Sequence, residues 1–291
     1  MNALSVTTNT PQTPSEKQRC ALIKLLADDD RGVYQTIRNK ILSYGQESSH
    51  WLRPYALSGD PVLRRRTQEI IQHLARHEAD NEFLAFCLTH GEELDVEAAV
   101  WLLAKTQYPD INLAAYQALL DSFAGELLDR VDYRAAAEKT LGTINSFLFS
   151  QLGFSGNEEN LFDPDNSYLN RVVDRRTGNP ISLCLIYMLI ARRLHLPVAG
   201  IGMPGHFLCR YQSATEEIFI DAFSKGKFLT KADCIKYLNT TGHGFQEDFL
   251  GPVSSRRILL RICTNLQRIY ADLGLAEETA RAKRYILALS K

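Results

Sequence analysis

The residues whose types and spacing suggest chemistry are a histidine, an aspartate and the start of an apolar helix. Asn179-Pro180 is a strong helix start, with asparagine as N-cap and proline at the first helical position. His206 comes after a Pro204-Gly205 turn, and Asp221 ends the next apolar run, 15 residues on. A helix N-terminus beside a histidine and an aspartate is the layout of a cysteine hydrolase or acyl transferase. In such a site the helix end lowers a thiol pKa, the histidine takes the proton, and the aspartate fixes the imidazole tautomer. The same pair also has a structural reading, in which His206 bonds Asp221 and does nothing further.

Two residues past the helix start compete for the nucleophile's place. Ser182 reads first as a first-turn residue bonding the backbone. Cys184 lies one turn below Pro180 on roughly the same face, about 6 Å along the axis at ~1.5 Å per residue. Perturbed thiols cluster at such places, although a cysteine on an apolar helix is usually inert. Cys209, three positions after His206, is expected on the opposite sheet face. Arg175 and Arg176 read as surface residues, with the alternative of binding an acidic group near the helix mouth.

The elements that must position these groups come late in the chain. Ile181, Leu185, Met188, Leu189 and Ala191 carry an almost wholly apolar helix to Leu194, which predicts a central, buried element. Val198 to Met203, His206 to Tyr211 and Glu217 to Asp221 carry strand signals, and Phe228-Leu229 a shorter one. Thr230 with Asp233 resembles a capping box for a helix to Leu238. Helices are also expected over Ser254 to Leu273 and Ala276 to Leu289, broken by Gly274.

Upstream, helix succeeds helix from Ser15 to about 152. Val33, Ile37, Ile41 and Leu42 keep helical spacing, and Asp60 caps a helix opening at Pro61. Asp30-x-x-Val33 and Asp60-x-x-Leu63 form a faint two-copy repeat of the HEAT type. Further helices are expected around Val96 to Thr106, Leu113 to Leu128 and Tyr133 to Leu152. Turn chemistry over 153 to 166 separates these helices from the later part of the chain, which opens with a short helix after Ser167.

The run Asn166-Ser167-Tyr168-Leu169-Asn170, then Asp174 through Leu183, then Pro204-Gly205-His206-Phe207-Leu208, resembles the SirB-type (YchA-like) branch of the transglutaminase-like superfamily. The same module resembles one found in an F-box protein family. The resemblance is dense over about 161 to 230 and implies a papain-like α+β core, with final helices like part of a tetratricopeptide unit. It implies a nucleophile at the third position of a G-x-C tripeptide, which here is Gly178-Asn179-Pro180. Pro180 therefore occupies the nucleophile position, while His206 and Asp221 match the family's histidine and aspartate.

Composition bounds the rest. Of 291 residues, 45% are apolar and 23% charged, and 33 basic against 34 acidic side chains leave a formal charge of -1. Nothing suggests a nucleic-acid partner, which needs a basic excess or face. No window is apolar enough for a membrane span, and the polar, Thr-rich start is no signal peptide, so a cytoplasmic location is expected. Six scattered cysteines read as reduced thiols. No metal or cofactor is expected: His73 and His77 share a helix face, but without companions in a ligand pattern.

The fold class expected is α+β, mostly α: a tail over 1–14, a HEAT-like helical unit over 15–130, a transglutaminase-like core over 131–250 and a tetratricopeptide-like helix pair over 251–291. The expected function is a non-catalytic binding module for a protein or peptide segment. Asn179, Pro180, Ser182, Arg175 and Arg176 would stand at its binding site. The alternative is a thiol-dependent acyl transferase or hydrolase using Cys184, His206 and Asp221.

Overall fold

The computed structural model describes residues 13–291, so most of the expected tail, 1–14, lies outside the described residues. The chain forms two compact units. One comprises the described residues up to Asn81 together with 106–109, and the other comprises 82–105 and 110–291.

In the first unit, α1 (Glu16–Leu26), α2 (Arg31–Leu42), α3 (Glu47–Leu52) and the first part of α4 (Pro61–Thr89) come in order. Local chemistry sets their starts. Ser15 and Gln18 form a reciprocal capping box, Asp30 accepts from the N–H groups of Gly32 and Val33, and Asp60 accepts from Val62 and Leu63. Asp30 and Asp60, paired by their sequence spacing, thus play the same capping role. Ile23, Leu26, Ile41, Leu52, Ile70 and Leu74 form the core of this unit.

The second unit contains α5 (Val96–Gln107), except for its last two residues, then α6 (Leu113–Leu128) and α7 (Ala137–Asn145). The single helix expected over Tyr133 to Leu152 is not what forms. A turn closed by Ala135 N–H on the Asp132 carbonyl delays the start of α7. A π-helical turn, Ser146–Gln151, then replaces its end, with Leu152 N–H donating to the Phe147 carbonyl at 2.9 Å. Phe147, Leu148 and Phe149 are all buried there. The wider turn thus includes a fully buried stretch of the chain.

Next come β1 (Ser155–Gly156), α8 (Leu169–Arg175), β2 (Thr177–Gly178) and α9 (Pro180–Arg193). β1 and β2 form a two-residue parallel pair, Ser155 with Thr177 and Gly156 with Gly178, for which the sequence carries no strand signal. α9 is the expected central helix, buried at Ile181 through Tyr187 and again at Leu189 through Ala191.

A four-stranded antiparallel meander, β3 (Val198–Ile201), β4 (Leu208–Gln212), β5 (Glu217–Asp221) and β6 (Lys227–Leu229), packs on α9. Cys209 pairs with Ile220 and shares its face, which looks toward α9: Cys209 Sγ donates to the Cys184 carbonyl at 3.5 Å. The other face carries Leu208 and Phe219, which pack with Cys234 and Leu238 of α10 (Lys231–Thr240). Thr230 and Asp233 form the expected capping box of α10. The strand expected from His206 begins instead at Leu208. Gly205, at φ 75°, makes the turn and His206 N–H closes it on the Met203 carbonyl, so His206 stays in the loop.

The chain ends in a helical hairpin, α11 (Ser255–Asp272) and α12 (Ala276–Leu289), turned at Gly274 with φ 71°. Buried Arg256 holds it in place. Its guanidinium donates to the carbonyls of Ala288 and Leu289 at the end of α12, and to those of Cys87 and His90 at the end of α4. One cation thereby satisfies the orphan acceptors of two helix C-termini.

Candidate functional site

The start of α9 is locked by its own side chains. Asn179 Oδ1 accepts from the N–H groups of Ile181 and Ser182 at 3.0 and 2.9 Å, and Ser182 Oγ accepts from Asn179 N–H at 3.0 Å. Asn179 Nδ2 donates to Ser167 Oγ at 3.0 Å. A Cβ on Gly178 would come within 2.5 Å of Ser182 Oγ, so the capping box also explains the glycine. Pro180 is half-buried at the first helical position and carries no group that could attack a carbonyl.

The two arginines before the helix are engaged elsewhere. Arg175 pairs with Asp163 at 2.7 Å and Asp165 at 2.5 Å. Arg176 is left-handed at φ 56°, and its guanidinium stands 5.0 and 4.7 Å from the rings of Phe123 and Phe154. Burial lowers its pKa, with Asp174 acting in the opposite direction.

Cys184 is fully buried, and Sγ donates to the Phe207 carbonyl at 3.5 Å. Burial first, then the neighbouring thiol of Cys209, pushes its pKa well above the ordinary thiol value. This is an environment that opposes the thiolate a nucleophile needs.

His206 and Asp221 meet. Nε2 of the ring stands 3.0 Å from Asp221 Oδ2, with the carboxylate residue 8% exposed. The other oxygen, Oδ1, accepts from the N–H groups of Phe223 and Ser224 at 3.1 Å each, and Ser224 Oγ donates to Oδ2 at 2.9 Å. Burial pushes this carboxyl upward, but the bond and charge of His206 together with the Ser224 donors outweigh it and hold the pKa below the ordinary value. Behind the pair, Arg261 of α11 donates to the His206 carbonyl at 2.8 Å while lying over the Phe207 ring.

The pair opens into a cleft of about 560 Å³ between the β5–β6 part of the sheet and α10, with Met203, Lys227, Leu229 and Tyr237 among its walls. Tyr237 stands 5.8 Å from the His206 ring, and Phe223 presents an edge to it at 6.4 Å and 88°. Phe223 also lies so close against Gly156 that a Cβ there would be 2.5 Å from the ring. Since Gly156 pairs with Gly178, Phe223 fills space between His206 and the lip that leads to Pro180.

Both partners of the pair are thus legible in the sequence, and so is the helix start, though not how fully Asn179 and Ser182 are used by the cap. Tyr237, Lys227 and Arg261 are not. The Thr230 capping box signals α10, but not which face of α10 looks at His206. Among the described residues no group of three His, Cys, Asp or Glu is placed to hold a metal ion, and no helix is long and apolar enough to cross a membrane.

An apolar helix against an antiparallel meander, with a His–Asp pair where β5 ends, defines a transglutaminase-like core. The family model described as the transglutaminase-like superfamily matches residues 114–264. A UPF0162 protein of Xylella fastidiosa is 35% identical over 204 residues, which is 68% of this chain and 73% of that protein. A UPF0162 protein of Pseudomonas aeruginosa is 30% identical over 192 residues, 65% of this chain and 69% of that one. Mouse F-box only protein 21 is 39% identical over 136 residues, 44% of this chain but 21% of the longer protein. No solved structure matches the chain. The chain belongs to the transglutaminase-like superfamily and, within it, to the UPF0162 family.

Proposed function

We propose that this protein is a non-catalytic binding module whose cleft beside His206 holds a protein or peptide segment. The observation that carries this reading is the occupant of the helix start. Position 180 is a proline where the superfamily resemblance calls for cysteine, and the residues around it are committed to capping α9. The His–Asp pair then has no nucleophile at the helix end to serve. Cys184 offers a poor substitute, being fully buried and bonded to a main-chain carbonyl. The cleft is of a size that takes small ligands and peptide side chains. Recurrence of the region as about a fifth of F-box only protein 21 supports a module that is carried within larger proteins.

Iodoacetamide labelling at pH 7 with mass mapping tests the non-catalytic half of the proposal. Cys184 is expected to label far more slowly than exposed Cys20, at a rate unchanged by His206→Ala. Fast labelling of Cys184 that depends on His206 would favour a thiol enzyme instead.

A further inference from the structure

The carboxylates that line the cleft are already tied to the chain. Asp221 is held by His206, Phe223 and Ser224. Asp233 accepts from the N–H and hydroxyl of Thr230 at 2.9 and 2.7 Å. The rim hydroxyls are also engaged, Thr240 with the Lys236 carbonyl and Thr241 with that of Tyr237.

The cations are in the opposite condition. Lys227 on β6 and Lys236 on α10 line the cleft, and both are exposed. Among the described residues neither forms an ion pair, whereas nearby Lys231 pairs with Glu247. Asp233 feels the charge of both lysines, but Thr230 is the stronger influence on it and the one it bonds. A ligand entering the cleft therefore meets two ammonium groups with free N–H donors, beside two carboxylates that keep their charge but whose oxygens are bonded within the chain.

We propose that the cleft recognises an acidic peptide segment, with an Asp or Glu carboxylate bound between Lys227 and Lys236 and a neighbouring apolar side chain on Met203 and Leu229. Ammonium groups on long flexible stems suit this task, because they accept a carboxylate from many directions and need no fork geometry. The inference rests on the binding-module reading and adds the chemistry of the occupant.

Fluorescence anisotropy with three labelled octapeptide pools tests it. The pools are randomised except at alternate positions, which are fixed as Glu, Gln or Lys. The Glu pool is expected to bind about tenfold or more tighter than the Gln pool, with a preference that weakens as salt is raised. Lys227→Glu with Lys236→Glu should abolish the preference, and Lys227→Arg with Lys236→Arg should keep it. Both changes lie on exposed side chains, and unchanged thermal melting of the variants verifies the fold. Equal binding of the Glu and Gln pools would overturn the acidic inference and leave the module reading standing. Binding of no pool would overturn both.

Discussion

His206 Nε2 and Asp221 Oδ2 stand 3.0 Å apart, and the same carboxylate closes the turn that leads from β5 to β6 through Phe223 and Ser224. The pair is therefore a fastener as well as a candidate site. Asp221→Asn is expected to cost about 1–3 kcal/mol at pH 7, because the change weakens bonds to a buried charged acceptor. The carboxyl is held below its ordinary pKa when folded. Its contribution is then fully present above the unfolded value of about 3.9 and is lost as pH falls through the folded value. Urea unfolding of both proteins at pH 7 and pH 3 reads the difference, which should shrink at the lower pH. An equal gap at both would sink the assignment.

The capping box of α9 yields a second expectation. Gly178→Ala would push a methyl to within 2.5 Å of Ser182 Oγ and 3.0 Å of Val172. The serine must leave Asn179 N–H, and one such hydrogen bond is worth about 1 kcal/mol. In a Ser182→Ala background the serine's half of the box is already lost and the clash with its hydroxyl relieved, while the Asn179 cap remains, so Gly178→Ala should cost less there. Additive losses in the double-mutant cycle would show that the two positions do not interact in this way.

Arg256 carries a third. Four carbonyls from two helix ends converge on one guanidinium, and Met in its place would leave three of them, those of Cys87, Ala288 and Leu289, buried without this donor. Arg256→Met is expected to cost about 3 kcal/mol. Lys should recover little of it, since one ammonium cannot span acceptors set out for a planar fork. Denaturant midpoints of the two variants check this, and a Lys variant as stable as the parent would refute it.

What the sequence shows and hides divides along locality. Asn179-Pro180, Thr230 with Asp233, and Asp60 with Pro61 announce helix starts because a cap is made within four residues. His206 and Asp221 are legible because a turn and a strand fix their spacing, with family resemblance adding their roles. The face of α10 that looks at His206 is not legible, since it depends on how the sheet folds over the helix and not on any nearby residue. Arg256 is invisible for a related reason: a charged residue on a helix reads as solvated until its distant carbonyl partners are known. The three inward side chains at 147–149 conceal the π-helical turn, because an apolar run has no period from which a wider turn could be told.

The last expectation concerns position 180. Cys184 Sγ reaches the carbonyl of Phe207, the neighbour of His206, and its pKa is shifted in part by Asp221, so the first turns of α9 lie close to the pair. Position 180 is about 6 Å nearer the mouth of the helix at ~1.5 Å per residue. A thiol placed there would gain from the helix N-terminus, which favours a thiolate, and would be less buried than Cys184. Pro180→Cys is therefore expected to create a thiol that reacts with iodoacetamide at pH 7 faster than exposed Cys20, with His206→Ala slowing it. The cap needs no proline, because the Asn179 and Ser182 bonds do not involve its ring. Such a result would mean that the His–Asp pair still addresses the helix end and that the proline alone withholds the nucleophile. A new thiol whose rate ignores His206 would mean that Phe223, packed between His206 and the Gly156 lip, has already closed that route.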